Sequence, residues 1–279
     1  MRGIHFLALL LFFSSCSLLS KKNTSGKELV LVTTNYGNFK LKFNDETPLH
    51  KANFLALVDS GFYDSLLFHR VIKNFMVQGG DPDSKSAAAG KVLGNGGPGY
   101  QVDAEIVPKY FHKKGVLCAA RQGDDGNPKR KSSGSQFYIV TGRVFTIDNL
   151  HKMEEGIDYS KKVKCLQALM QTEEYRETNK WLQYYQGARM SYQYDSLIHT
   201  FDPILDAYLD SVGHHKFNEE QIQAYTTVGG APHLDGAYTV YGEVIEGMDV
   251  IDLISNLGCD QYDRPKSDVV ILGMKRVKK

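Results

Sequence analysis

Cysteine is scarce in this chain: 4 residues in 279, with no Cys-x-x-Cys pair and no Cys/His set at metal-ligand spacing. No zinc site can be read from such a pattern. Tryptophan occurs once and the formal net charge is only +1, which removes the electrostatic argument for a nucleic-acid partner. The basic runs Lys129-Arg130-Lys131 and Lys275-Arg276-Val277-Lys278-Lys279 read as solvated loop and tail. Also missing are a Ser/His/Asp order with a nucleophile elbow and paired carboxylates that share an element face; Glu154-Glu155 and Glu173-Glu174 are neighbours whose side chains diverge, and both are expected on a solvated face. The glycine-rich stretch Gly94-Asn95-Gly96-Gly97-Pro98-Gly99 lacks a following Gly-Lys-Ser/Thr, so it reads as a loop over which backbone passes closely rather than a phosphate cradle. Hydrolytic, redox and metal chemistry have no visible carrier, and no cofactor is expected.

Long apolar runs are lacking as well. The one at residues 4–13 follows Arg2 and ends in Ser14-Ser15-Cys16, well short of the ~20 residues of a bilayer-spanning helix. It reads as a secretory signal over residues 1–16. Small-small-Cys after such a run is similar to a bacterial lipobox, which would make Cys16 the lipidated N-terminus, with residues 17–27 as a polar tether and acyl chains holding the body at a membrane surface. Phe13 departs from the leucine more usual in that pattern, and simple cleavage or an uncleaved anchor are the alternatives. The expected location is the bacterial cell envelope, facing the periplasm. Cys118 falls in an apolar strand and reads as a small core residue, and no disulfide is expected among Cys118, Cys165 and Cys259.

What the chain does contain is β grammar, interrupted once. Leu29-Val30-Leu31-Val32-Thr33-Thr34, a turn at Tyr36-Gly37-Asn38, and the alternating Phe39-Lys40-Leu41-Lys42-Phe43 make a hairpin with one buried face. Thr47 and Pro48 open a helix to about Asp59, with Leu49, Ala52, Leu55 and Val58 at every third position and Gly61 as its stop. Strands follow around the Lys73-Asn74 turn, at residues 115–121 and at residues 134–140. From 148 to 228 the pattern is helical: Val163, Leu166, Leu169 and Met170 recur at helix spacing, Asp202-Pro203 starts a further helix, and Asn218 caps a last one. Strand grammar returns at residues 234–244, a short helix runs through Val250, Ile251 and Ile254, and residues 269–272 close the chain as a strand. The division is therefore a β body in two parts, 28–147 and 229–279, around a helical insertion at 148–228.

The stretch that organises this body is Phe68-His69-Arg70-Val71-Ile72-Lys73-Asn74-Phe75-Met76-Val77-Gln78-Gly79-Gly80-Asp81. It sets strong directed donors beside bulky apolar groups, the composition of a binding pocket. His69 faces away from Arg70 if the segment is a strand, so it is assigned a structural role rather than that of a general base.

Phe68-His69-Arg70-Val71-Ile72, Phe75-Met76-Val77-Gln78-Gly79-Gly80-Asp81, Gly94-Asn95-Gly96-Gly97, Gly115-Val116-Leu117, Gly134-Ser135-Gln136-Phe137-Tyr138-Ile139 and His233-Leu234-Asp235-Gly236 occur in this order. In that order they resemble the cyclophilins, the peptidyl-prolyl cis-trans isomerases, over about residues 28–145 and 228–279. The resemblance implies a mainly β fold, a closed eight-stranded antiparallel barrel capped by two helices, with the groove on its outside. It implies proline-containing polypeptides as substrates and Arg70 as the catalytic residue. Phe75, Met76, Tyr138 and Leu234 would form the proline pocket, and Gln78, Ala120, Arg121 and Gln136 would line the rest of the groove. Tyr138 stands where the family commonly has phenylalanine, His233 where it has tryptophan, Tyr238 where it has histidine, and Arg121 where it has asparagine. Tyr138 and Tyr238 keep an aromatic wall; His233 is expected to weaken binding of cyclosporin-type macrocycles.

A rival reading is a proline-recognising chaperone or binding module with incidental isomerase activity, in which Trp181, Tyr184, Tyr185, Tyr192 and Tyr194 offer clients an aromatic surface. Residues at such spacing are more often a helix-packing core.

Overall fold

The computed structural model describes residues 28–278; the signal, Cys16 and tether readings lie outside the described residues. The chain begins with the expected hairpin, β1 (Leu29–Thr34) and β2 (Gly37–Phe43). Phe39, Leu41 and Phe43 turn inward, while Lys40 and Lys42 turn out to pair with Glu246 and Glu243. Helix α1 (Pro48–Asp59) follows, then β3 (Arg70–Ile72) and β4 (Met76–Gly79). A two-residue β5 (Gln101–Val102), β6 (Val116–Ala119), a two-residue β7 (Ser132–Ser133) and β8 (Phe137–Val140) complete the first part. The helices α2 (Ile147–Leu169), α3 (Arg176–Gly187), α4 (Ser191–His199), α5 (Asp202–Val212) and α6 (Glu219–Thr227) come next, and β9 (Val240–Glu246), α7 (Met248–Ser255) and β10 (Ile271–Val277) end the fold.

Among the described residues, eight strands form one antiparallel sheet in the order β10-β1-β2-β9-β6-β8-β4-β3, and β5 pairs with β7. The closed barrel expected from the resemblance is not what forms: β3 and β10 are the two edges of a curled sheet. Across the seam lie a single Leu67–Val270 bridge and loop contacts such as Phe68 N–H donating to the Val269 carbonyl at 2.9 Å. The reason is local. β3 has 3 residues, and the Val71 N–H donates to the Asp263 carbonyl at 2.8 Å, so the loop between α7 and β10 occupies the edge that a closing ladder would need.

One core lies between the sheet and helices α1 and α7. Phe137 meets Phe54, Tyr63 and Phe68 there edge to face, at ring separations of 5.5, 5.6 and 5.8 Å, with Val30, Val32, Leu41, Ile139, Ile251 and Ile254 around them. Each such side chain contributes about 1.5–3 kcal/mol by burial. A second cluster, with Met76, Cys118, Tyr138, Val140, Ala231 and Leu234, covers the opposite face of β4, β6 and β8. Burial on both faces explains why β6 and β8 read as continuous apolar runs instead of alternating.

Several sequence expectations shift. Helix α1 buries His50, Phe54, Leu55 and Val58, while Leu49 and Ala52 are exposed, so its inner face follows an i, i+4 rhythm rather than every third residue. Thr47 occupies the N-cap position without capping; the Glu105 carboxylate takes the Leu49 and His50 N–H groups at 3.0 and 2.9 Å. Residues 232–234 form a 3-10 turn, not a strand, and strand geometry starts only at Val240. The last strand begins at Ile271 rather than 269. Glu154 is buried, not solvated, because it accepts from the Phe217 N–H at 2.8 Å and pairs with Lys216.

The helices have two centres. Near the sheet, Leu150, Phe217 and Tyr225 pack on Phe111 and Phe145. Farther out, Met170, Leu182, Phe201 and Leu205 make a separate cluster. Tyr194 packs on it, but Trp181 (53% exposed), Tyr184 (57%) and Tyr192 (82%) remain at the surface, so the packing-core expectation fails for these three. Among the described residues no helix is long and apolar enough to cross a membrane, and Cys118, Cys165 and Cys259 are free thiols.

Candidate active site

The tight turn at Asn74, which takes φ 61°, folds β4 back on β3 and sets Arg70 directly opposite Gln78. The Arg70 Nη1 donates to Gln78 Oε1 at 3.3 Å, and its Nε stands 3.5 Å from the Asp263 carboxylate. Gln78 Nε2 donates on to Gln136 Oε1 at 2.9 Å, and Gln136 Nε2 donates to the Gly94 and Gly96 carbonyls at 2.9 and 2.7 Å. A planar fork held at two points keeps its direction, which a lysine ammonium on its flexible stem would not.

The glycine-rich loop ends this chain of hydrogen bonds, and it is tied down by a buried acid. Asp81 accepts from the Gly94 and Asp83 N–H groups. A side chain at Gly96 would place its Cβ 2.1 Å from Asp81 Oδ1, and one at Gly80, which has φ 90°, would lie 2.2 Å from the Ser135 carbonyl. Gly80, the second of the two glycines before Asp81, therefore marks a close crossing of the chain leaving β4 past the residues that lead into β8.

Arg70, Phe75, Met76, Gln78, Ala120, Arg121, Tyr138, Leu234 and Tyr238 line one cavity of about 160 Å³. A second cavity of about 680 Å³ adjoins it through Gln78, Ala120 and Arg121 and is walled by Gln136 and the glycine loop. His233 lines neither; its ring stands 5.3 Å from that of Phe75, at the rim. Burial lowers the His233 pKa, so the neutral ring is favoured there. Arg121 is largely committed to structure: Nε donates to the Ala237 carbonyl at 2.8 Å, Nη1 reaches Asp124 at 2.7 Å, and the guanidinium lies 4.3 Å from the centre of the Tyr238 ring.

Sequence reading missed the residues behind the cavity. The Tyr138 hydroxyl lies 3.1 Å from His112 Nε2, His112 Nδ1 lies 2.9 Å from Asp235 Oδ1, and Tyr225 donates to Asp235 Oδ2 at 2.6 Å. Burial pushes the Tyr138 and Tyr225 phenols far above the usual tyrosine range and raises the Cys118 thiol, so all three stay protonated. No sequence signal joins His112 to Asp235, which are 123 positions apart. Asp263, beside Arg70, sits in the loop that replaces barrel closure and was equally invisible.

His69 is packed against the glycine-rich loop, where a Cβ at Gly94 would lie 3.7 Å from its Nε2. It is 2% exposed, and neither ring nitrogen has a hydrogen-bond partner among the described residues. Burial lowers its pKa to about 4, so it stands neutral, and it does not line the cavity that holds Arg70.

A family model described as "Cyclophilin type peptidyl-prolyl cis-trans isomerase/CLD" matches residues 29–177 and 209–276, more than half of the chain. A Staphylococcus aureus protein described as a peptidyl-prolyl cis-trans isomerase is 27% identical over 254 residues, covering 91% of this chain and 93% of its own length. A Streptococcus pyogenes protein described as a bifunctional phosphatase/peptidyl-prolyl cis-trans isomerase is 28% identical over 256 residues, and the chain spans 39% of that protein. Among solved structures, a cyclophilin-type isomerase of Cryptosporidium parvum superposes with a TM-score of 0.51 at 21% identity, covering 91% of this chain and 99% of that one. The ordered motifs, the curled eight-stranded sheet and the family match agree: the chain belongs to the cyclophilin-type peptidyl-prolyl cis-trans isomerases.

Proposed function

We propose that this protein isomerises X-Pro bonds of exported polypeptides at the Arg70 cavity. The observation that carries the reading is a guanidinium held by Gln78 and Asp263 in the wall of a small cavity that also presents Phe75, Met76 and Leu234. Phe75, Met76, Tyr138 and Leu234 would grip the proline ring, and Gln78, Gln136 and the glycine loop would hold the residues before it. A Cryptosporidium parvum relative was crystallised in the presence of the dipeptide Ala-Pro, which supports proline-containing partners. The N-terminal signal and Cys16 pattern support action at a bacterial envelope, on a lipid tether.

No nucleophile is needed for this chemistry. Rotation about an amide loses its partial double bond, at a barrier of about 18–20 kcal/mol. In the twisted state the ring nitrogen becomes pyramidal and exposes a lone pair. Arg70 donates a hydrogen bond to that lone pair, an interaction that neither planar form offers, so it favours the transition state selectively.

Arg70→Ala is expected to lower kcat/KM by about 10²–10³-fold, the usual loss for one transition-state donor, with the thermal unfolding profile retained. Unchanged turnover of a prolyl peptide in a protease-coupled assay would refute the assignment.

The exposed Trp181, Tyr184 and Tyr192 favour a second activity on the same molecule, client binding at the insertion. Together with Tyr185 and Leu197, Trp181 and Tyr192 border a cavity of about 340 Å³.

A further inference from the structure

The helical insertion reaches the proline cavity through a buried chain of hydrogen bonds. Four donors converge on the Asp235 carboxylate: His112 N–H at 2.8 Å and His112 Nδ1 at 2.9 Å on one oxygen, Tyr225 Oη at 2.6 Å and Gln221 Nε2 at 3.0 Å on the other. A carboxylate met by donors on both oxygens acts as acceptor throughout. With a proton on Nδ1 toward that acceptor, the His112 ring turns Nε2 to the Tyr138 hydroxyl, 3.1 Å away.

Both ends of the relay matter to the cavity. Tyr138 is one wall, and Asp235 directly follows Leu234, another wall, at the end of the 3-10 turn of residues 232–234. Tyr225 and Gln221 belong to α6, the last helix of the insertion. The Tyr225 ring is clamped edge to face by Phe111, Phe145 and Phe217 at 5.6, 6.4 and 5.8 Å, and the Asn218–Gln221 capping box fixes the start of the helix. The tyrosine hydroxyl that replaces the family's phenylalanine at Tyr138 is thus anchored to an element outside the β body.

We propose that α6 is a positioning element of the active site, with Tyr225 and Gln221 acting through Asp235 and His112 to hold Tyr138 and Leu234 against the proline ring. The inference rests on the assignment of this cavity to proline. The walls touch the ring in ground and transition states alike, so loosening them raises KM more than it lowers kcat.

The test measures kcat and KM on a prolyl peptide for Tyr225→Phe, Tyr138→Phe and the double variant, beside Arg70→Ala. Tyr225→Phe keeps the packed ring and removes only the donor; Gln221→Glu is a second perturbation that keeps the capping acceptor and sets a like charge against Asp235. Each single change is expected to raise KM about 3- to 10-fold, the scale of coupling along a packed network, and the double variant to be no worse than its worse parent, because one relay is broken twice. Leu182→Ala, in the distal cluster of the insertion, should lower the unfolding midpoint without changing KM. An unchanged KM in both Tyr225→Phe and Gln221→Glu, additive effects in the double variant, or an equal rise in Leu182→Ala would overturn the proposal. Full activity in Arg70→Ala would instead overturn the active-site reading itself.

Discussion

His69 carries a pH liability at the scale of single residues. Its folded pKa of about 4 lies below the ordinary histidine value of 6.5, chiefly through burial. Below pH 6.5 the unfolded chain takes up a proton that the folded chain refuses, so stability falls as pH drops toward 4 and is unaffected by this group above 6.5. The window corresponds to a loss of about 3 kcal/mol at most. His50 and His233 shift in the same direction, also by burial, so the diagnostic quantity is the difference between wild type and His69→Leu. Urea midpoints measured from pH 7 to pH 4 should fall less steeply in the variant; parallel curves would show that His69 is not the titrating group. The placement of His69 opposite Arg70 was legible from strand alternation alone. Its lack of any hydrogen-bond partner was not, because that depends on what packs around it from elsewhere in the chain.

Among the elements, α1 illustrates a cap supplied from a distance. Pro48 and Gly61 mark its ends in the sequence, yet its first N–H groups are met by Glu105, 55 positions away from His50. The same carboxylate lies 2.7 Å from His50 Nδ1, and His50 Nε2 lies 2.9 Å from the Ser132 hydroxyl. Glu105→Ala strips two helix donors and a buried ring of one acceptor, and is expected to cost about 1–3 kcal/mol in chemical denaturation. A variant as stable as wild type would mean that water replaces the cap. Helix α2 is held in a comparable way from the far side of the insertion. Burial pushes Asp158 up, but the His215 N–H, Lys161 and His214 outweigh it and hold its pKa at about 2. Both acids are silent in sequence, since a carboxylate in a polar stretch looks the same whether it caps a helix or faces water.

For the molecule as a whole, the open seam between β3 and β10 and the helices α2 to α6 set the Arg70 cavity in its surroundings. The seam leaves room for the loop that brings Asp263 to Arg70, and the insertion lies behind the cavity through α6 while α3 and α4 extend outward with their exposed aromatic rings. The two ends of the insertion should therefore separate functionally. Replacing residues 176–199 by a short flexible linker leaves α6 and its relay in place, so prolyl-peptide turnover is expected to stay within about twofold of wild type, whereas suppression of aggregation of an unfolded client should drop. Equal suppression by both proteins would remove the client-binding role from α3 and α4.

Local pattern was enough to determine the hairpin, the position of α1 and α7, the helical character of residues 148–228 and the motif that carries Arg70, because alternation, helix spacing and turn residues act over a few positions. Contacts that join distant segments were decided only in three dimensions: the failure of β3 to meet β10, the Glu105 cap, and the Tyr138–His112–Asp235–Tyr225 relay. Each of these depends on a hydrogen bond between residues many positions apart, and the energy of such a bond is set by the burial and geometry of the assembled sheet, which no single stretch of chain contains.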